Sequence, residues 1–216
     1  MINIEADTSL SYLSLYGSTL NLNANLDLNS GTLITNGGAI HQNGDLSSGS
    51  LHLGWNGDAT TFNRTSGTLT LDSLRADSGS TLDLTGADTV HFIAVSADSE
   101  LSFTQLAGQT TGLDLESLLL DSDANLTVIF DNPDYNGFNW GLRVFGNRQS
   151  EMNDWLAGGQ LSSNFAGAGI FYDVSSFGDY TYLGAFSAVP EPASISLVFL
   201  ALACGTVRMR RRRVGQ

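Results

Sequence analysis

The chain has 216 residues, of which 22 are acidic and nine are arginine, and it contains no lysine. Five of the arginines lie after residue 207, so residues 1–187 hold 21 acidic residues against four arginines, a formal net charge of −17. A surface of that sign repels phosphate backbones, which excludes nucleic acid as a partner. The only cysteine, Cys204, also lies near the C-terminal end. Residues 1–187 therefore form no disulfide and depend on a core and on hydrogen bonds for stability.

Residues 1–130 repeat one short pattern, in which a small or acidic residue and a Ser or Thr precede leucines that alternate with polar residues. The first leucines of seven copies stand 13 to 25 residues apart, at Leu20, Leu33, Leu51, Leu69, Leu82, Leu101 and Leu126. This alternation is typical of β-strands, and Asn-Gly pairs at 36–37, 43–44 and 56–57 predict turns. One such strand cannot bury its leucines, whereas stacked copies bury them continuously. We therefore predict an all-β fold with a parallel β-helix, or solenoid, over residues 1–130, in which steps of 13 to 19 residues correspond to coils.

Two observations bear on that fold prediction. Short strands with frequent turns also fit a β-sandwich, which remains the alternative. The composition of the repeats resembles that of the stems of autotransporter passenger domains, and this resemblance implies a β-helix.

The repeats contain acidic and histidine residues but no recognisable catalytic motif. His41, His52 and His91 lack a His or Cys partner at metal-ligand spacing and lie beside no nucleophile motif. A segment near residue 72 recurs 44 residues later, which would align Asp72, Asp77 and Asp83 with Asp114, Glu116 and Asp121 on stacked coils. Carboxylates on adjacent coils would be close enough for polysaccharide hydrolysis, but Asp beside Ser and Gly is also ordinary turn chemistry. We favour the turn interpretation and predict that the chain is not an enzyme.

Calcium is the only cofactor that the sequence suggests. Residues 121–125, Asp-Ser-Asp-Ala-Asn, partly match a calcium-binding loop. The match lacks the glycine at the sixth position and the glutamate at the twelfth. We predict no metal ligands and no other cofactor.

Residues 131–187 differ from the repeats, because they hold two of the three tryptophans and four of the six tyrosines. Ser150 predicts the N-cap of a short helix that ends at the glycines 158–159. The apolar face of this helix would consist of Met152, Trp155 and Leu156. Strands are predicted at 169–174 and 180–186. We interpret the segment as a C-terminal cap that closes the solenoid.

The end of the chain combines three features in a fixed order over residues 188–213. Val189, Pro190, Glu191 and Pro192 precede an apolar segment, which precedes a basic cluster. The apolar segment, 193–207, includes Ala193, Ile195, Leu197, Val198, Phe199, Leu200, Leu202 and Val207, and the basic cluster is Arg208, Arg210, Arg211, Arg212 and Arg213. A helix of this segment would be roughly 22 Å long, short for a hydrocarbon core of about 30 Å.

This order resembles the PEP-CTERM sorting signal of Gram-negative bacteria. The resemblance implies export across the inner membrane, transient anchoring by the short hydrophobic helix, and removal of the tail by an exosortase-type enzyme. The arginines should stay in the cytoplasm, which would place residues 1–187 outside. A stable membrane anchor that is never cut is the alternative.

The first seven residues lack the basic start, apolar region and small-residue cleavage site of a signal peptide. Since the sorting signal acts only on exported chains, we expect this start to be internal to a longer sequence. Together these features predict an exported, non-catalytic structural or adhesive protein of the cell surface or the biofilm matrix, with extracellular polysaccharide as a candidate partner. The alternative is an extracellular protein that binds or cleaves polysaccharide, which carboxylates on adjacent coils beside an aromatic platform would favour.

Overall fold

The computed structural model describes residues 1–106, 108–109, 111–130, 138–165, 167–175 and 178–186. Strands dominate these ranges. In chain order they are β1 (Ile2–Ile4), β2 (Thr8–Ser9), β3 (Tyr12–Leu22), β4 (Leu26–Asp27), β5 (Thr32–Gln42), β6 (Leu46–Leu53), β7 (Thr61–Arg64), β8 (Leu69–Ala76), β9 (Thr81–Thr85), β10 (Thr89–Val95), β11 (Glu100–Thr104), β12 (Leu113–Leu115), β13 (Ser117–Leu120), β14 (Asn125–Ile129), β15 (Phe138–Phe145), β16 (Leu161–Ser163), β17 (Ala168–Ser175) and β18 (Gly178–Phe186). A helix, α1 (Gln149–Gly158), lies between β15 and β16.

The strands up to β14, apart from β12, pair in parallel and stack into a β-solenoid of about five turns. The pairing defines three faces. Face 1 contains β1, the second halves of β3 and β5, and then β7, β9, β11, β14 and β16. Face 2 contains β2, β4 and the first parts of β6, β8 and β10, and face 3 contains the first halves of β3 and β5, the second parts of β6, β8 and β10, and β13. The predicted parallel β-helix is confirmed, and the β-sandwich is wrong because its sheets would be antiparallel.

The register shows that one coil is longer than the shorter sequence steps. Partners on face 1 are 19 to 25 residues apart, at Leu20, Ile40, Phe62, Leu82, Leu101 and Leu126. The interpretation of a 13-residue step as a coil was wrong, because the leucine pattern recurs on different faces of the same coil. Leu20 lies on face 1 and Leu33 on face 3, so the step between them follows only part of a turn.

Columns of apolar side chains fill the interior. On face 3 one column runs through consecutive coils, and all of its members are buried: Leu33, Leu51, Leu74, Ile93 and Leu118. In-register strands about 4.8 Å apart bring each of these side chains against the next. Burying one such side chain contributes roughly 1.5–3 kcal/mol relative to exposure. Each coil is therefore stabilised mainly by its neighbours, as in other repeat folds.

Small polar side chains connect the coils at the corners. Between faces 1 and 2, Asn43 Nδ2 donates to Asn23 Oδ1 at 2.9 Å, and Asn23 Nδ2 donates to the carboxylate of Glu5 at 3.0 Å. Between faces 3 and 1, Ser80 and Ser99 are fully buried, and the N–H of Ser80 donates to Ser99 Oγ at 3.1 Å. These bonds satisfy polar groups at bends, where strand pairing is interrupted. The Ser- and Asn-rich turns are thus part of the stack.

The predicted Asn-Gly turn at 36–37 lies within β5, where the strand turns from face 3 to face 1. Gly37 and Gly38 have φ values of +71° and +88°, in the left-handed region. A Cβ at Gly38 would overlap the carbonyl oxygen of Ser18 on the preceding coil. Both conformation and space therefore require glycine at this corner.

A buried ion pair lies where β7 meets the loop after β9. Arg64 Nη1 is 2.7 Å from Asp88 Oδ2, and the side chain of Asp88 has 0% exposed surface. The same carboxylate accepts the N–H groups of Leu69 and Thr85 at 2.8 and 2.6 Å. Arg64 Nε also donates to Gln42 Oε1 at 3.2 Å. These partners compensate a charge that would be costly to bury alone.

After β14 the chain leaves the regular coil. The strands β12, β15, β18 and β17 form, in that order, a four-stranded sheet that we call the second sheet. In it β12 and β15 are parallel, and β15, β18 and β17 are antiparallel. The helix α1 packs near β16 and β17, and β16 adds a further strand to face 1.

The helix confirms part of its prediction. Met152 is buried, Trp155 and Leu156 pack against the core, and Gly159 ends the helix at a φ of 84°. Ser150 as N-cap was wrong, because the helix begins at Gln149. The N–H of Arg148 instead donates to Thr181 Oγ1 in β18, so the second sheet anchors the helix start. The strands predicted at 169–174 and 180–186 are observed as β17 and β18.

Candidate functional site

The outer side of the second sheet carries aromatic side chains. The inward positions of β15 and β18 are buried, and strand alternation leaves Arg143, Phe145, Tyr180 and Tyr182 on the outer side. The register pairs Arg143 with Tyr182 and Phe145 with Tyr180. We call Trp140, Phe145, Tyr180 and Tyr182 the aromatic strip.

The rings of the aromatic strip form a continuous series of contacts. Ring centroids are 6.0 Å apart for Trp140 and Tyr182, 6.2 Å for Tyr182 and Tyr180, and 5.6 Å for Tyr180 and Phe145. These separations lie within the range of favourable aromatic pairs. Phe145 at the end of the series is 55% exposed. The strip is therefore an ordered apolar surface that solvent reaches.

Arg143 fixes the strip to the solenoid. Its guanidinium carbon lies 5.0 Å from the ring centroid of Trp140 and 4.4 Å from that of Tyr180, both cation–π contacts. Its Nε donates to Asp114 Oδ1 at 2.6 Å, and Nη2 donates to Asp114 Oδ2. The hydrogen bond to Asp114 raises the pKa of Arg143 above its ordinary value, although burial opposes this. This bidentate pair holds β15 against β12 and neutralises both charges.

An open groove of about 680 Å³ lies beside the aromatic strip. Its walls come from β10, from β12 with the residue after it, and from β15 and β18. They comprise Thr89, His91, Asp114, Leu115, Glu116, Phe145 and Tyr180. Leu115 is buried, whereas His91 and Glu116 are exposed. Aromatic faces beside a few polar groups are the usual lining of a binding site for a small ligand or part of a polymer.

The segment near residue 72 and its copy 44 residues later lie two coils apart. Ser73, Phe92 and Ser117 are partners on consecutive coils, so Asp72, His91 and Glu116 follow one another at the corner between faces 2 and 3. The N–H of Glu116 donates to the carbonyl of His91 at 2.8 Å. Asp72 and Glu116 are therefore separated by two coil spacings, about 10 Å along the stack.

The remaining predicted alignments are only partly met. Asp77, Ser96 and Asp121 follow one another at a second corner, because the N–H groups of Ser96 and Asp121 each donate to the carbonyl that precedes this corner on the previous coil. Asp77 and Asp121 are therefore two coils apart. Asp83 pairs with Ser102 and lies beside no acid in that column, so its predicted alignment was wrong. Asp114 is engaged by Arg143. The segment near residue 72 and its copy therefore share their corners, but not every carboxylate of one has a counterpart in the other.

His52 lies in a separate polar cluster at the end of face 3. Its Nε2 is 2.7 Å from Asp77 Oδ2. The centroid of its ring lies 4.6 Å from that of Trp55, in an edge-to-face arrangement. Arg75 Nε donates to the same oxygen at 2.8 Å, and Ser96 Oγ donates to the other. Burial raises the pKa of Asp77, but the hydrogen bonds from Ser96, His52 and Arg75 outweigh it and hold that pKa below its ordinary value. In a nucleophile triad the hydroxyl group donates to the histidine, which in turn contacts the carboxylate. Here Ser96 donates to the carboxylate of Asp77 and not to His52, so the cluster does not have this arrangement.

The lowered pKa of Asp77 predicts a contribution to acid stability. A carboxyl group with a lower pKa in the folded state stabilises the fold above its unfolded pKa, about 3.9, and loses that effect as the pH falls through its folded pKa. We expect Asp77→Asn to be less stable than wild type at pH 6 and to lose less stability between pH 6 and about pH 2. Urea midpoints across this range measure the effect, and equal losses in both proteins would contradict it.

The other candidate residues are distributed as follows. His41 is exposed on face 1, and residues 121–124 form a turn between β13 and β14. Within the described ranges, no group of three or more His, Cys, Asp or Glu side chains is arranged to hold a metal ion. The sorting-signal residues from Val189 to Arg213 lie outside the described residues. In the part of the chain that the structure describes, no helix has both the length and the apolar character needed to cross a membrane.

Comparison of the chain with protein-family models, curated proteins and solved structures finds no match. The fold therefore follows from the strand pairing alone. The site is defined by its own geometry and chemistry.

Sequence reasoning missed the aromatic strip and the ion pair between Arg143 and Asp114. The concentration of aromatic residues was noticed but was interpreted as a cap. A signal was present, because Arg143 and Phe145 alternate with Leu142 and Val144, as Tyr180 and Tyr182 alternate with Thr181 and Leu183. Period-two alternation of aromatic with buried positions predicts an aromatic face. The pairing of β12 with β15 leaves no comparable sequence signal.

Proposed function

We propose that the protein is an exported, non-catalytic structural or adhesive component of the cell surface or of an extracellular polysaccharide matrix. The observation that carries this proposal is the continuous parallel stack, in which backbone pairing and buried columns connect successive coils. Such a stack is a stiff scaffold, since each coil is held by its neighbours. The net charge of −17 over residues 1–187 favours solubility and suits an extended surface protein.

The proposed location rests on the tail. Its resemblance to a PEP-CTERM signal supports transient anchoring in the inner membrane of a Gram-negative bacterium, followed by processing by an exosortase-type enzyme. The short apolar segment is consistent with a temporary anchor, because about 20 apolar residues are normally needed for a stable span. Residues 1–187 would then act at the surface or outside the cell.

Deletion of Pro190 to Pro192 tests this route. We expect the variant to remain in the inner membrane or cytoplasm, because the processing enzyme loses its recognition segment while the solenoid is unchanged. Cell fractionation and immunoblotting measure the distribution. Replacement of Ala193 by Ser is the control, since it leaves the three-residue motif intact. Normal surface display of the deletion variant would overturn the sorting proposal.

Polysaccharide binding is the second candidate function, and the aromatic strip is the observation that favours it. An ordered aromatic surface, open to solvent beside the polar groups of Glu116 and His91, suits a sugar, whose rings present C–H faces and hydroxyl groups. This binding would attach the solenoid to a matrix without any chemical step.

A further inference from the structure

We propose that the groove beside the aromatic strip binds a polysaccharide whose sugars carry protonated amino groups. This inference rests on the polysaccharide-binding function proposed above and specifies the chemistry of its ligand. Three side chains carry it: the exposed ring of Phe145, the half-buried ring of Tyr180 and the carboxylate of Glu116 all line this groove.

The shape of the site favours a ring-shaped polymer unit over a compact ion. The groove is open, and aromatic rings form one of its walls. The strip continues from Phe145 through Tyr180 and Tyr182 to Trp140, with neighbouring centroids 5.6 to 6.2 Å apart. A linear polymer can therefore extend beyond the groove along the strip. A single small ion would leave most of this aromatic surface exposed.

The charges in the groove favour a cation. Arg143 contacts the ring of Tyr180 in the groove wall, and both carboxylate oxygens of Asp114 accept its hydrogen bonds. This pairing leaves it little capacity to attract an anionic sugar. Among the described residues, Glu116 has no salt-bridge partner, so its carboxylate adds a negative charge to the groove. An ammonium group would meet this carboxylate and the negative faces of the aromatic rings together.

Charged residues on the surface around the groove also favour a cationic ligand. Asp72 lies two coils from Glu116 at the same corner, with His91 between them. Asp173 and Asp179 lie on the exposed hairpin of β17 and β18. The net charge of −17 over residues 1–187 repels a uronic-acid polymer at long range and attracts a polyamine sugar.

Binding of defined oligosaccharides to the full chain tests the proposal. The probes are a glucosamine tetramer, the fully N-acetylated tetramer and a galacturonic acid tetramer, at pH 6 and low salt, with calorimetry as the readout. We expect the glucosamine tetramer to bind at least about fivefold more tightly than the N-acetylated one and to weaken with added salt, because an exposed ion pair is screened. We expect no binding of the galacturonic acid tetramer.

Two variants locate the site. Phe145→Ala should weaken binding of the glucosamine tetramer by about fivefold or more, through loss of an aromatic contact. Glu116→Gln should weaken it by about two- to fivefold and reduce the preference over the N-acetylated tetramer. Tyr16→Ala is the matched control, because Tyr16 is also an exposed aromatic residue, 63% exposed, but lies in β3 at the other end of the solenoid. Unchanged thermal melting shows that the variants fold.

The outcomes separate this inference from the function on which it rests. Equal binding of the glucosamine and N-acetylated tetramers would overturn the amine preference and leave polysaccharide binding in place. Absence of binding for all three probes would overturn the polysaccharide-binding function itself. Amine-selective binding that Phe145→Ala and Glu116→Gln leave unchanged would overturn the assignment of the groove.

Discussion

Leu118→Ala should lower the free energy of unfolding by about 2–5 kcal/mol. Leu118 is 1% exposed and lies in the buried column of face 3, against Ile93 on the preceding coil. Removing its side chain leaves a cavity beside Ile93, and the parallel pairing of β13 with β10 holds the backbone in register. The cavity therefore cannot close without disrupting the ladder. Urea unfolding followed by circular dichroism measures the change.

The adjacent residue provides the control. Leu119 has the same side chain in the same strand but points outward and is 45% exposed. Leu119→Ala should cost less than about 1 kcal/mol, because little apolar surface is lost from the interior. Similar losses for the two variants would contradict the inward and outward assignment of β13, and with it the register of face 3.

Asp88→Ala should lower the free energy of unfolding by about 3–5 kcal/mol, the usual effect of leaving a buried charge without its partner. The substitution removes the carboxylate that Arg64 contacts at 2.7 Å and the acceptor for two backbone N–H groups. Arg64 is itself 9% exposed, so water cannot replace the lost carboxylate without opening the corner. Urea unfolding again measures the effect.

The surface pair of Arg148 and Glu151 is the matched control for this prediction. Its atoms are also 2.7 Å apart, but both side chains are 37% exposed. Glu151→Ala should cost about 1 kcal/mol or less, because exposed ion pairs contribute little. If Asp88→Ala costs no more than Glu151→Ala, the buried pair does not hold the corner between β7 and the loop after β9.

Much of the solenoid could be predicted from the sequence, because its dominant signal is local. Alternating leucines define strands, and repetition requires them to stack, so the parallel β-helix follows from residues such as Leu69 and Leu71. The three-sided coil could not be predicted. The same pattern serves every face, and only hydrogen-bonded register separates the position of Leu33 from that of Leu20.

The ion pair that anchors the candidate site depends on contacts between residues far apart in the chain, which explains why it was missed. Asp114 and Arg143 meet because β15 joins β12 after an intervening coil. The buried pair of Arg64 and Asp88 likewise depends on stacking of consecutive coils. Ser150 was assigned as a cap from local preference alone, whereas the observed anchor of the helix start is Thr181, 33 residues beyond Arg148. In each case tertiary pairing decides the outcome.

In the function that we propose, a stiff acidic scaffold carries a binding surface near its C-terminal end. The aromatic strip lies on the second sheet, whose last strand ends at Phe186. If the tail is cut near Pro190, the strip would lie close to the new terminus.

The most direct test of the central claim is the intact mass of the native protein together with its cell fraction. We expect a species that ends near Pro190 and is recovered outside the inner membrane. An uncut chain that remains in the inner membrane would contradict it and would make the tail an ordinary anchor.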